Sequence, residues 1–155
     1  MSEGRFSAIA VAIDGSRLSE SALDLATQMA RQLDTRISLV TVLDAQVEER
    51  FQEYGRAEQV DLLDAVREYQ KRWINSLRDD GLAVAGHVVE LRHGSTAHTI
   101  TEVAENVNAS LLVVGTHGRH GYRRVLGSTA QALVEQGTIP VVVARPTHAE
   151  DYAEL

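Results

Sequence analysis

"FSAIAVAIDGS", residues 6 to 16, decides the architecture. A short apolar run closes on Asp14-Gly15-Ser16, and a β-rich run bounded by turn residues reads as a buried strand followed by a turn. A helix then starts at Ser16, a suitable N-cap, because Leu18, Ala22, Leu25, Met29 and Leu33 recur every three or four positions to give one apolar stripe. A strand apolar on both faces that feeds straight into an amphipathic helix is the opening unit of a parallel sheet covered by helices.

The rest of the chain repeats the unit. "RISLVTVL" (36 to 43) reads as a second strand, and the acidic segment "DAQVEERFQEYGR" leads into a long helix with a stripe of Leu63, Val66, Trp73 and Leu77. That helix ends at Gly81, a good C-terminal cap. "GHVVELR" (86 to 92) is a third strand, and a helix from about Ser95 carries Ile100, Val103, Ala104 and Val107. "SLLVVG" and "IPVVVAR" flank a last short helix to complete βαβαβαβαβ. The pattern predicts a single α/β domain over residues 1–146, with a parallel sheet, helices on both faces and right-handed crossovers, followed by a polar tail at 147–155.

Composition narrows the chemistry. The chain has 155 residues, is 44% hydrophobic and 24% charged, and contains no cysteine, which removes disulfides, thiolate nucleophiles and cysteine-ligated zinc. Of 15 basic residues only Lys71 is a lysine, and it falls on a predicted surface helix. Schiff-base catalysis, a Walker A loop and a receiver-type phosphorylation site all need a lysine at a strand end, and are excluded. A net charge of −7 argues against general binding of nucleic acid or anionic membrane. No apolar run approaches the length that spans a bilayer, and "MSEGRFSAIAVAID" lacks the features of a secretory signal, so the expected location is the cytoplasm.

Ligands of such sheets bind beyond the carboxyl ends of the strands, where the strand order reverses. Two strand ends are equipped for this, "DGS" after the first strand and "GTHGRHGYRRVLGST" (115 to 129) after the fourth. Glycines at 115, 118 and 127 leave the backbone free to adopt positive φ and let a ligand approach the main chain. Gly127, Ser128 and Thr129 open the last helix, whose N-terminus offers unpaired N–H donors, so a phosphate is the natural guest. Arg119, Arg123 and Arg124 either pair with it or form a solvated face.

These residues resemble the universal stress protein (UspA-like) family, whose nucleotide-binding branch carries G-x2-G-x9-G-[ST] after the fourth strand and an aspartate at the end of the first. Gly115-x2-Gly118 and Gly127-Ser128 match the two ends of that pattern, and "VAIDGS" matches the first-strand signature with Asp14. The resemblance covers about residues 6 to 145 and implies the strand order 3-2-1-4-5. It further implies ATP or a related adenine nucleotide across the ends of strands one and four. Asp14 would contact the nucleoside, Ala12 and Val42 would bound the base, and Gly115, Gly118, Gly127 and Ser128 would hold ribose and phosphates. Magnesium would come with the phosphates rather than from a protein cage. Eight residues separate Gly118 from Gly127 where the pattern has nine, so the loop is one residue tighter. Thr96 replaces a frequent proline after strand three, and Thr129 adds a hydroxyl where an apolar residue is common.

Plainer roles stand beside these. Asp14 could cap the first helix, Gly127-Ser128 could be only a helix start, and the carboxylates of 44 to 64 could be a solvated face or part of a lid. His117 and His120 have a metal-compatible spacing but no third ligand in view. No G-x-S-x-G elbow is present. Two functions remain: a nucleotide-binding stress regulator with at most slow hydrolysis or autophosphorylation, acting on an unknown protein partner, and a dimerisation module of the same fold that binds no nucleotide. In either, the resemblance implies a homodimer through the edge strand "IPVVVAR", burying Val141, Val142 and Val143.

Overall fold

The computed structural model describes residues 6–92, 94–116 and 126–145. Strands β1 (Ala8–Ala12), β2 (Arg36–Leu43), β3 (Val84–Glu90), β4 (Leu111–Gly115) and β5 (Val141–Ala144) pair in parallel in the order β3-β2-β1-β4-β5. This is the order that the resemblance implies. On one face lie α1 (Arg17–Leu33) and α3 (Leu62–Asp79), packed on Ile9, Val11, Ile37 and Leu39. On the other lie α4 (Thr96–Asn106) and α5 (Ser128–Gln136), packed on Ala10, Val40, Val42 and Leu112. Alternate residues of each central strand therefore feed two separate cores, which is why these strands read as continuous apolar runs.

Two readings of the sequence are corrected. The acidic segment after β2 is itself a helix, α2 (Ala45–Glu58), so the order is βαβααβαβαβ. Asp44 caps it, its Oδ1 accepting from the Val47 N–H at 3.0 Å, and Val47, Phe51 and Gly55 form its buried face. Only two large apolar residues carry that face, too few to stand out among the glutamates. In α1 the buried stripe runs through Leu18, Ala22, Leu23, Ala26 and Ala30, while Leu25 and Met29 flank it and Leu33 is exposed. Small residues at 22, 26 and 30 bring the helix axis close to the sheet and push the larger side chains to its margins.

The long helix α3 is tied to the sheet by a buried amide. Gln70 Nε2 donates to Thr41 Oγ1 at 2.9 Å and to the His87 carbonyl at 3.0 Å, and the Thr41 hydroxyl donates in turn to the Ile13 carbonyl at 2.8 Å. Gly86 makes room for it, since a Cβ there would collide with Gln70 Oε1. Gly81 ends the segment at φ 90°, as its capping role requires.

Gly115 closes β4 against the first turn of α1. A Cβ on it would lie 2.7 Å from the Leu18 carbonyl oxygen, a backbone atom held by the helix. Gly115→Ala is therefore expected to destabilise the fold by about 1 to 3 kcal/mol, through forced separation of α1 from β4. Urea denaturation of the two proteins, with m unchanged, measures it; equal midpoints would mean that the helix yields freely.

Candidate functional site

The sheet order reverses between β1 and β4, and the connections leave its carboxyl end on opposite faces. A crevice opens there, lined by Ala12, Ile13 and Asp14 from β1 and its turn, Val40 and Val42 from β2, and Val114, Gly115 and Thr116 from β4. Ser128 and Thr129, at the start of α5, close one side. Of the sequence-derived candidates, Ala12, Asp14, Val42, Gly115, Ser128 and Thr129 all meet in this crevice, and Gly127 is the N-cap of α5 beside them. Gly118 and Arg119 lie outside the described residues, as do Arg123, Arg124, His117 and His120.

Of the loop glycines, Gly115 and Gly127 do not take the positive φ that the sequence suggests for them. Gly127 has φ −61°, and the positive-φ glycines among the described residues are Gly15, Gly81 and Gly94. Gly115 is set by the Leu18 carbonyl rather than by conformational freedom. Gly15, at φ 86°, is the position where the turn itself demands glycine, and its bare Cα also sits against the Phe51 ring.

Asp14 organises the turn. Its Oδ1 accepts from the Ser16 N–H at 2.9 Å and from the Ser16 hydroxyl at 2.5 Å. The Ser16 oxygen in turn caps α1 by accepting from the Ser19 N–H at 3.2 Å. Helix capping thus belongs to Ser16, with Asp14 one step behind it. Arg50, from α2, donates to the Asp14 carbonyl at 2.9 Å and sets Nη1 3.5 Å from Asp14 Oδ2. Burial pushes the Asp14 carboxyl up, but the two Ser16 hydrogen bonds and the Arg50 charge outweigh it and hold the group below its ordinary range. It is an anion at neutral pH.

The outer wall comes from the acidic segment whose carboxylates, 44 to 64, the sequence offers as a solvated face or part of a lid. Asp44, Gln46 and Val47, at the start of α2, line the crevice, and Thr96 donates to Asp44 Oδ2 at 2.9 Å, joining the start of α4 to the start of α2. Val40, Val42, Val47, Ile100 and Val114 make the floor apolar, while Asp14, Gln46, Ser128 and Thr129 supply polar groups around it. An apolar crevice with a carboxylate and a helix N-terminus at its walls suits a ring system joined to an anionic group. Among the described residues, no group of three or more histidines, aspartates or glutamates is placed to hold a metal ion. None of the described helices is long and apolar enough to cross a membrane.

A doubly covered parallel sheet with its crevice at the point of strand reversal defines the class of open α/β ligand-binding domains. Residues 5–145 match the family model of the Universal stress protein family, and the chain belongs to that family. Universal stress protein A homolog 1 of Coxiella burnetii is 28% identical over 134 residues, covering 86% of this chain and 92% of that protein. The solved structure of the hypothetical protein MJ0577 superposes with a TM-score of 0.72 at 20% identity, over 92% of this chain and 98% of that one. A universal stress protein from Archaeoglobus fulgidus solved in complex with dAMP gives a TM-score of 0.64 at 20% identity, over 89% and 97% of the two chains. A universal stress protein solved in complex with cAMP gives a TM-score of 0.61 at 24% identity, over 90% of this chain and 97% of that one. At these identities the structures establish the shared fold.

The charge of Asp14 has a signed consequence for stability. A carboxyl whose pKa is lowered by folding contributes stability that is present above its unfolded pKa and lost as the pH falls through the folded one. The stability difference between the native protein and Asp14→Asn is thus expected to be constant from neutrality down to about pH 5 and to shrink below about pH 4. Urea titrations across that range measure it; a difference that grows toward acid would mean that burial, not hydrogen bonding, governs Asp14.

Proposed function

We propose that the crevice binds an adenine nucleotide and that the protein is a regulator whose occupied state is read by a partner, with at most slow hydrolysis or autophosphorylation. The observation that carries this reading is the convergence, at one strand-reversal point, of an ionised Asp14, an apolar floor and the N-terminus of α5. Ala12 and Val42 would bound the base, and Asp14 would face the nucleoside. Gly115, Gly127, Ser128 and Thr129 would stand near ribose and phosphates, with Gly118 and Arg119 of the glycine-rich loop completing the set. ATP with magnesium fits best, the ion held by the phosphates as a hard cation that this residue set does not cage. The family relatives solved with dAMP and cAMP support the ligand class.

One observation favours the second reading, a module that binds no nucleotide: both Asp14 oxygens already have partners, in Ser16 and Arg50. Calorimetry separates the two. Micromolar-scale ATP binding is expected, lost in Gly127→Val, where a side chain meets the approaching phosphate. Asp14→Ala is expected to weaken adenosine and ATP alike. Absence of binding by the native protein establishes the second reading, and equal ATP binding by Gly127→Val removes the phosphate site.

We further propose a two-fold dimer through β5. This strand pairs only with β4 among the described strands, and Val141, Val142 and Val143 are half-buried at the edge. Antiparallel pairing with a second copy would cover them. Val142→Asp places two like charges close to the axis and is expected to shift the protein to monomer in sedimentation at tens of micromolar. A native monomer, or a variant as dimeric as the native protein, excludes this edge as the interface.

A further inference from the structure

Among the described residues no strand pairs with the opposite edge of the sheet, the outer side of β3, and that edge is differently equipped. The Ile37 N–H donates to the Ala83 carbonyl at 2.9 Å, and the pairing Ile37↔Val84 then turns the backbone groups of Ala85, His87 and Val89 toward β2. Those of Val84, Gly86, Val88 and Glu90 face outward. The Val84 carbonyl is covered by Arg78, which donates from Nε at 3.1 Å and from Nη2 at 2.8 Å. Next along the edge, Gly86 and Val88 border a groove between β3 and α3 whose other wall includes Arg67, Lys71 and Ile74.

The charge of that wall is specific. Arg67 and Lys71 are exposed, and neither belongs to an ion pair among the described residues. They stand one helical turn apart, about 6 Å along α3. Alternate residues on one face of an extended strand are about 6.6 Å apart. A strand laid beside β3 with a carboxylate at every second position would therefore meet both cations in step. A second copy of this edge would bring its own Arg67 and Lys71 against them, which opposes self-pairing. Glu90, exposed at the end of β3, opposes extension of an acidic strand beyond Val88.

We propose that the outer edge of β3 docks an extended acidic segment of another protein. The segment pairs main chain to main chain with Gly86 and Val88 and sets alternate carboxylates on Arg67 and Lys71. The backbone supplies affinity and the two cations supply selection. This surface lies away from the crevice and is independent of whether nucleotide binds there.

The test is an NMR titration of the 15N-labelled full chain with the peptide Thr-Glu-Thr-Glu-Thr-Glu to about 1 mM. The expected result is saturable shifts centred on the Gly86 and Val88 amides, with slowed hydrogen exchange of both. The double variant Arg67→Glu, Lys71→Glu, at exposed positions, should bind at least about tenfold more weakly and accept the Thr-Lys counterpart instead. The same acidic peptide with alternate amides N-methylated should lose binding. Overturning results are the absence of saturable shifts at Gly86 and Val88, equal binding of the methylated peptide, which would mean charge alone, or concentration-dependent shifts at this edge without peptide, which would mean a second copy.

Discussion

The approach of Gly115 to the Leu18 carbonyl is the constraint from which the site follows. It lets the first turn of α1 lie directly against the end of β4, although α1 is connected to β1 and leads to β2. With α1 held there, the turn at Asp14-Gly15-Ser16 and the start of α5 come to opposite sides of one crevice. A side chain at 115 would meet backbone, which cannot swing aside as a rotamer does. The glycine is thus needed by the fold before any ligand is considered.

The second organising contact is between α2 and the turn after β1. Phe51 packs under Gly15 and meets the Tyr69 ring edge-on at 5.3 Å, while Arg50 reaches over the same turn to Asp14. Adjacent residues of α2 therefore bring an aromatic ring and a guanidinium side chain to the same turn. The acidic segment that looks like a solvated face in sequence is a wall of the crevice, and its Arg50 adds to the Ser16 hydrogen bonds that hold the Asp14 carboxyl below its ordinary range.

The parts legible in sequence were those with a strong period. Strands β1, β2 and β4 announce themselves as apolar runs because both of their faces are buried, the edge strand β5 does so while only half-buried, and Ser16 and Gly81 mark helix ends through fixed chemistry. Helix α2 was illegible because Val47 and Phe51 alone carry its packing and most of its other side chains are solvated. Gln46 and Arg50 were missed with it, and Asp44 entered only as one of the carboxylates of 44 to 64, since none stands in a motif and each reaches the site only through the placement of that helix. Asp14 was legible as a residue but not in its partners: its hydrogen bonds to Ser16 follow from proximity, whereas Arg50 is thirty-six positions away. Gly115 was found for the wrong reason, because a sequence shows that a side chain is missing and not which atom fills the space.

Gln70 and Gly86 behave as one unit divided between two elements. The carboxamide occupies the volume that any side chain at 86 would take, and it uses that position to bond Thr41 and the His87 carbonyl. Neither residue can change alone without cost: a bulkier residue at 86 expels the amide, and a shorter one at 70 leaves a void over glycine and deprives Thr41 of its donor. In homologous chains the two positions should exchange volume, with a small or absent amide at the first accompanied by alanine or valine at the second. A strand residue and a helix residue sixteen positions apart would then drift together as a single inherited trait.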